Sequence, residues 1–197
     1  MLVPTRVLLA LITLCLCAVA GVLGVWLAQR GSDAPAATGW EGSIRPPGAR
    51  LPEFALRNAE GETVTAASLR GRPVVVTFIY STCDDTCPGQ VQSIRGALDD
   101  LGRDVPVVGV SVDPANDTPA RARAFVLEQS MTRRMDFLLG SRAELARLWQ
   151  AFGIAPQRDG RDHSAYTVLV DAAGRQRVGF PVSQLTPRRL AHDLARL

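Results

Sequence analysis

Two cysteines four positions apart, Cys83 and Cys87, are the residues of this 197-residue chain best suited to chemistry. They follow a continuous apolar run that starts at Val74 and is typical of a buried strand. The pattern after Pro88 predicts a helix, which would place both thiols at its positive end, where the thiolate form is stabilised. Their spacing predicts two sulfurs on one helix face. A thiolate attacks disulfides or binds soft metal ions, so the pair indicates a redox dithiol or part of a metal site, with a structural disulfide as the remaining alternative.

A metal site needs more than two sulfurs, and the chain has two histidines. His192 falls in the pattern of a C-terminal helix, where a solvated or hydrogen-bonded histidine is the simpler interpretation. His163 precedes an apolar run from Ala165 to Val170, and in a thioredoxin-like fold the loop at that position faces the cysteine pair. A structural zinc site would want four protein ligands, so three candidates favour an exchangeable soft ion instead.

The predicted elements alternate in type along the chain, which indicates an α/β protein. We expect a hairpin, strand, helix, strand, helix, short strand, helix, antiparallel hairpin and final helix, at about 53–65, 74–80, 88–102, 105–112, 118–130, 135–139, 141–152, 165–180 and 186–197. This order is that of a thioredoxin-like three-layer fold with an N-terminal hairpin extension. Its first β-α-β unit should be parallel and right-handed. The cysteines would then lie at the carboxyl end of a central strand.

The N-terminal segment predicts a membrane anchor. Residues 7–28 carry no charge and are long enough for one transmembrane helix. The short basic end before them favours export of the rest of the chain, so we expect a single-pass protein of the inner (cytoplasmic) membrane with its folded domain on the periplasmic side. A cleaved signal peptide is the competing interpretation, because Ala18-Val19-Ala20 resembles a cleavage site. The expected organisation is an anchor (1–30), a flexible tether rich in Gly, Ala, Ser and Pro (31–50) and one domain (51–197).

Charge excludes one broad class of partner. The formal net charge is +3, and the arginines are scattered among acidic residues. A nucleic-acid surface would need a basic stripe, so we expect no nucleic-acid partner.

Three ordered segments resemble the Sco/SenC family: Ser81–Pro88, Ser111–Pro119 and Asp162–Ala165. The resemblance covers roughly residue 43 to the C-terminus. It implies a membrane-tethered, thioredoxin-like copper-binding protein that assists assembly of the dinuclear copper centre of cytochrome c oxidase. The implied ligands of copper, as Cu(I) or Cu(II), are Cys83, Cys87 and His163. The implied partners are the copper-receiving oxidase subunit and an upstream copper donor or thiol reductant. Two positions depart from the family pattern, Asp84 in place of proline and Asn116 in place of arginine.

Other functions compete with copper delivery. A thiol-disulfide oxidoreductase acting on a partner's cysteines would use the same fold and dithiol, with Cys83 and Cys87 as its catalytic residues. Against it stand the absence of Cys-x-x-Cys and of a proline at His163 or Ser164, where redox thioredoxins place one. A peroxiredoxin would need proline and threonine at positions that this chain fills otherwise. A membrane-anchored binding module without chemistry is the last alternative.

Overall fold

The computed structural model describes residues 39–156 and 165–197, together with Cys15 and Val19. The described strands, in chain order, are β1 (Ser43–Ile44), β2 (Ala55–Asn58), β3 (Thr63–Thr65), β4 (Val74–Ile79), β5 (Val107–Ser111), β6 (Met135–Leu139), β7 (Tyr166–Val170) and β8 (Gln176–Pro181). The described helices are α1 (Thr86–Leu101), α2 (Pro119–Glu128), α3 (Arg142–Phe152) and α4 (Pro187–Leu194). Short 3₁₀ turns lie at Ala67–Leu69 and Val182–Gln184.

All eight described strands join one mixed sheet in the order β1-β8-β7-β4-β5-β6-β2-β3. Strands β4, β5 and β6 are parallel to one another, and β7 pairs antiparallel with β4 and β8. The predicted parallel β-α-β unit and C-terminal hairpin are therefore confirmed. The N-terminal hairpin β2–β3 extends the sheet because β2 pairs antiparallel with β6.

Alternate residues of the central strands point to opposite faces of the sheet and build two apolar cores. On one face, side chains such as Val75 and Ile79 pack with helices α1, α2 and α4. On the other face, Val76 and Phe78 pack with α3. Every residue of β4 is buried, which explains why its sequence reads as an unbroken apolar run. The result is the predicted three-layer α/β architecture.

Side-chain caps begin three of the helices where the sequence predicts them. Thr118 and Thr186 each accept a backbone N–H of the first turn, and each is followed by proline. Ser141 and Glu144 form a reciprocal capping box at the start of α3. These local signals confirm the predicted helix starts.

The compact unit that contains the sheet begins at Trp40, earlier than the predicted start at residue 51. Strand β1 pairs with β8, and the backbone N–H groups of Glu41 and Gly42 each donate to the buried carboxylate of Asp193 at 2.9 Å. Hydrogen bonds rather than an apolar stripe hold much of this segment. For that reason hydrophobic periodicity did not separate residues 40–50 from the tether.

The predicted membrane span, residues 7–28, lies outside the described residues apart from Cys15 and Val19. Within the part of the chain that the structure describes, no helix has the length and apolar character needed to cross a bilayer.

Candidate metal and thiol site

The two cysteines lie where β4 gives way to α1. After β4 the backbone turns, and the Cys83 N–H donates to the Tyr80 carbonyl at 3.3 Å. Helix α1 begins at Thr86, so Cys87 is its second residue and Cys83 precedes it. The prediction that both cysteines occupy one helix face is therefore wrong, although both lie at the helix N-terminus. Both are free thiols and both are buried.

The sulfur of Cys83 caps helix α1. The residue at the N-cap position, Asp85, makes no side-chain hydrogen bond to the first turn. Instead, the Cys87 backbone N–H donates to Cys83 Sγ at 3.2 Å. Pro88, next in the turn, has no N–H to offer. A sulfur that accepts a backbone N–H of the first helical turn and lies at the positive end of the helix is stabilised as a thiolate.

The environment separates the acidities of the two thiols. A hydrogen bond from the Cys87 thiol, together with the backbone N–H groups of Cys87 and Asp85 and the side chain of Tyr80, lowers the pKa of Cys83 to about 5, although burial opposes this shift. The same hydrogen bond and burial raise the pKa of Cys87 well above its ordinary value. Burial and the adjacent Cys83 sulfur likewise raise the pKa of Tyr80. Cys83 is therefore the more acidic of the two thiols, and Cys87 the less acidic.

A buried carboxylate, Asp117, holds the turn that precedes Cys83. Its Oδ1 accepts the backbone N–H and the hydroxyl of Ser81, both at 2.6 Å. Its Oδ2 accepts the hydroxyl of Ser111 at 2.5 Å. The carbonyl of Ser111 in turn accepts the indole N–H of Trp149 at 2.9 Å. Burial raises the pKa of Asp117, although these hydrogen bonds partly oppose that shift.

Sequence reasoning did not assign a role to Asp117. Ser111 and Asp117 both belong to the second segment that resembles Sco/SenC. Their place in that segment was the one sequence signal that could have indicated a role near the cysteines. Their partner Ser81 lies 36 positions before Asp117, so the contact exists only once β4 and β5 pair side by side.

His163, the predicted third ligand, lies outside the described residues. Within those residues, no three His, Cys, Asp or Glu side chains gather closely enough to hold a metal ion. The structure does place the strand that follows His163: β7 begins at Tyr166, and the Tyr166 carbonyl accepts the side-chain amide of Gln90, on α1, at 3.2 Å. His192 is elsewhere, on α4, with Nδ1 at 2.9 Å from Asp193 Oδ1, which agrees with its interpretation as a hydrogen-bonded surface residue.

Known proteins resemble this chain in both sequence and fold. The family model described as SCO1/SenC matches residues 44–197. Protein SenC of Rhodobacter capsulatus is 32% identical over 130 residues, which cover 60% of this chain and 57% of that protein. The SCO1 protein homolog of Bacillus subtilis is 30% identical over 91 residues, or 44% of this chain and 47% of that protein. The chain thus spans about half the length of these relatives.

A solved structure gives the same result. The structure of Bradyrhizobium japonicum ScoI with copper bound is 33% identical to this chain, has a TM-score of 0.63, and is matched over 75% of this chain and 99% of its own. The mixed sheet and this similarity support the thioredoxin-like α/β fold that the element order predicts. Because the family model matches residues 44–197, which include strands β2 to β8 and helices α1 to α4, the chain belongs to the SCO1/SenC family.

Proposed function

We propose that this protein binds copper through Cys83, Cys87 and His163 and delivers it to the dinuclear copper site of cytochrome c oxidase, or prepares the cysteines of that site. The observation that carries the proposal is the pair of cysteines at the start of α1, which are not joined as a disulfide and of which Cys83 has a pKa lowered to about 5. Membership of the SCO1/SenC family supports it, as does copper bound to the related ScoI. The proposal that the oxidase receives the copper is supported by the resemblance of the three sequence segments to the Sco/SenC family.

The donor set suits copper. Two thiolates and an imidazole form a soft, low-coordination set of the kind that holds Cu(I), and a further oxygen ligand would suit Cu(II). Chain geometry supports His163 as the third donor, because three residue steps separate it from Tyr166 and span at most about 11 Å. Tyr166 is tied to Gln90, which lies one turn beyond Cys87. Copper is cargo here, and a site with three protein ligands leaves room for a recipient's ligand to enter.

Copper binding tests the proposal directly. Full-length protein, reduced and kept in a mild detergent, should bind about one Cu(I) per chain. Cys87→Ser and His163→Ala should each weaken binding about tenfold or more, while His192→Ala, the matched histidine control, should leave it unchanged. A His163→Ala variant with unchanged stoichiometry and affinity would show that the ligand assignment is wrong.

We also propose that residues 7–28 anchor the protein in the inner (cytoplasmic) membrane, with the domain on the periplasmic side. The uncharged stretch and its basic flank support this placement. Alkaline extraction of membranes should leave the protein in the pellet. Added protease should degrade the domain once the outer membrane has been permeabilised. A product in the soluble fraction would instead indicate a cleaved signal peptide.

The position of two cysteines side by side at the start of α1, with the Cys87 N–H donating to Cys83 Sγ at 3.2 Å, favours a second candidate, reduction of a partner's disulfide. The Cys83 thiolate would attack one partner sulfur, forming a mixed disulfide and releasing the other partner sulfur as a thiolate. Cys87, after passing its proton to the released partner thiolate, would attack Cys83 and release the partner's second sulfur as a thiolate. The partner gains two electrons, and Cys83 and Cys87 become a disulfide. Fast disulfide reduction that survives His163→Ala would favour this function over copper delivery.

A further inference from the structure

Gln90 is a buried amide that connects the cysteine helix to two strands. It lies on α1, one turn after Cys87, and is 1% exposed. Its Nε2 is within hydrogen-bonding distance of the hydroxyl of Thr77 on β4, and of the hydroxyl of Thr167 (3.1 Å) and the carbonyl of Tyr166 (3.2 Å) on β7. The hydroxyls of Thr77 and Thr167 are also bonded to each other, at 3.0 Å. This group forms a buried polar network between α1 and the two strands.

The network lies where β4 and β7 separate. Their paired register ends at Thr77 and Thr167, and Tyr166 is the next residue of β7. At this point the Gln90 amide supplies a donor to the Tyr166 carbonyl, beyond the last pair of the ladder. Gln90 therefore links α1 directly to the residue at which the chain enters β7.

The Gln90 side chain carries a cost in stability as well as a gain. Gln90 Oε1 is buried and, in the part of the chain that the structure describes, has no hydrogen-bond partner. An unpaired buried acceptor costs free energy that an apolar side chain of similar size would avoid. Thr77 and Thr167 would still bond to each other without it. What an apolar side chain could not provide is the hydrogen bond from α1 to the start of β7.

We propose that Gln90 is a positioning residue for the copper site, holding the start of β7 at a fixed separation from the Cys83–Cys87 pair. The proposal rests on the proposed function, because it gives Gln90 the task of relating the two chain segments that would supply ligands. Gln90 does not itself contact copper. Gln90 acts through the Tyr166 carbonyl. Its effect on copper affinity should therefore depend on His163, the proposed ligand that precedes β7.

Gln92 offers a matched control. It is a glutamine on the same helix, and its Nε2 donates to the carbonyl and the side-chain oxygen of Gln129, at 3.0 and 2.9 Å, away from β7. In full-length protein, Gln90→Leu should weaken Cu(I) binding about tenfold or more in competition with a chromogenic chelator, while Gln92→Leu should change it less than about threefold. Gln90→Met, with an unbranched side chain, replaces Gln90→Leu if the leucine variant does not fold.

A double-mutant cycle separates positioning from general destabilisation. In a His163→Ala background, Gln90→Leu should have less than about a threefold effect on Cu(I) affinity, because the ligand on the β7 side is already absent. An equal loss in both backgrounds, or no loss in either, would overturn the proposal.

A measurement without copper separates this proposal from the proposed function. In the metal-free protein, the backbone amides of Thr167 and Val168 should exchange with solvent about tenfold faster or more in Gln90→Leu than in Gln92→Leu. If the unmodified protein binds no copper, the proposed function fails while this exchange still reports on the link between α1 and β7. Unchanged exchange at both amides would overturn the role of Gln90 whatever the copper result.

Discussion

Removing the Asp117 carboxylate should loosen the turn before Cys83 and destabilise the domain measurably. Asp117 accepts three hydrogen bonds, two from Ser81 and one from Ser111. Three such bonds to a carboxylate, at a low value of about 1.5 kcal/mol each, give about 4.5 kcal/mol. Burial of the charge offsets part of this, as the raised pKa of Asp117 indicates. We therefore expect Asp117→Ala to lower the free energy of unfolding by about 2–3 kcal/mol at pH 7.

Asp117→Asn should cost less, about 1 kcal/mol or below, because the amide oxygen can still accept from Ser81 and no charge is buried. The pH dependence follows from the raised pKa of Asp117. A carboxyl whose pKa is higher in the folded state stabilises the fold fully below its unfolded pKa of about 3.9, and that contribution is lost as the pH rises through the folded pKa. The stability deficit of Asp117→Asn relative to the unmodified protein should therefore be largest near pH 4 and smaller at pH 7.

Urea unfolding followed by tryptophan fluorescence measures both effects, since Trp149 donates to Ser111 in the same network. Asp113→Ala is the control: Asp113 lies in the same loop, and its carboxylate accepts from the Asn116 amide at the surface. Asp113→Ala should change the free energy of unfolding by no more than about 0.5 kcal/mol. The reasoning is refuted if Asp117→Ala costs no more than Asp113→Ala, or if the deficit of Asp117→Asn grows as the pH rises.

Two further predictions concern the thiols and the core. In metal-free, reduced protein, the rate of Cys83 alkylation by iodoacetamide should rise with pH, with a midpoint near the Cys83 pKa of about 5, because the thiolate is the reacting form. Above that midpoint the rate should stay nearly flat to pH 8. A midpoint above pH 8 would contradict the proposed thiolate. Gly109→Ala should lower the free energy of unfolding by about 1–3 kcal/mol, because an added Cβ would lie 2.8 Å from buried Ile79 Cδ1. Gly89→Ala on α1 is the control, because an added Cβ there would meet nothing within 4 Å. In the same urea assay this variant should be as stable as the unmodified protein or more stable. Equal losses of unfolding free energy for the two variants would refute the packing argument.

Local signals predicted much of the fold. The apolar runs of β4 and β5 correspond to strands buried on both faces, and Thr118, Ser141 and Thr186 begin helices because each side chain accepts a nearby backbone N–H. Such signals depend on residues three or four positions apart, so they can be recognised in the sequence alone. The three-layer order then followed from the succession of elements.

Residues 40–50 were harder to predict because their partners are distant in sequence. Asp193 accepts the backbone N–H groups of Glu41 and Gly42 across more than 150 positions. A segment held in this way shows no apolar period, and it was therefore predicted to belong to the tether.

By itself, the sequence determined that Cys83 and Cys87 would lie at the start of a helix after a buried strand, and its motifs indicated the family. The tertiary structure decided how the two thiols differ in acidity: the hydrogen bond between them and burial in the core raise the pKa of Cys87, while the same hydrogen bond lowers the pKa of Cys83. It also decided which distant side chains hold the site, because Asp117 reaches Ser81 and Gln90 reaches Tyr166 only when the sheet is formed. The physical reason is range: capping and periodicity are local, whereas buried hydrogen bonds join residues that only the folded sheet brings together.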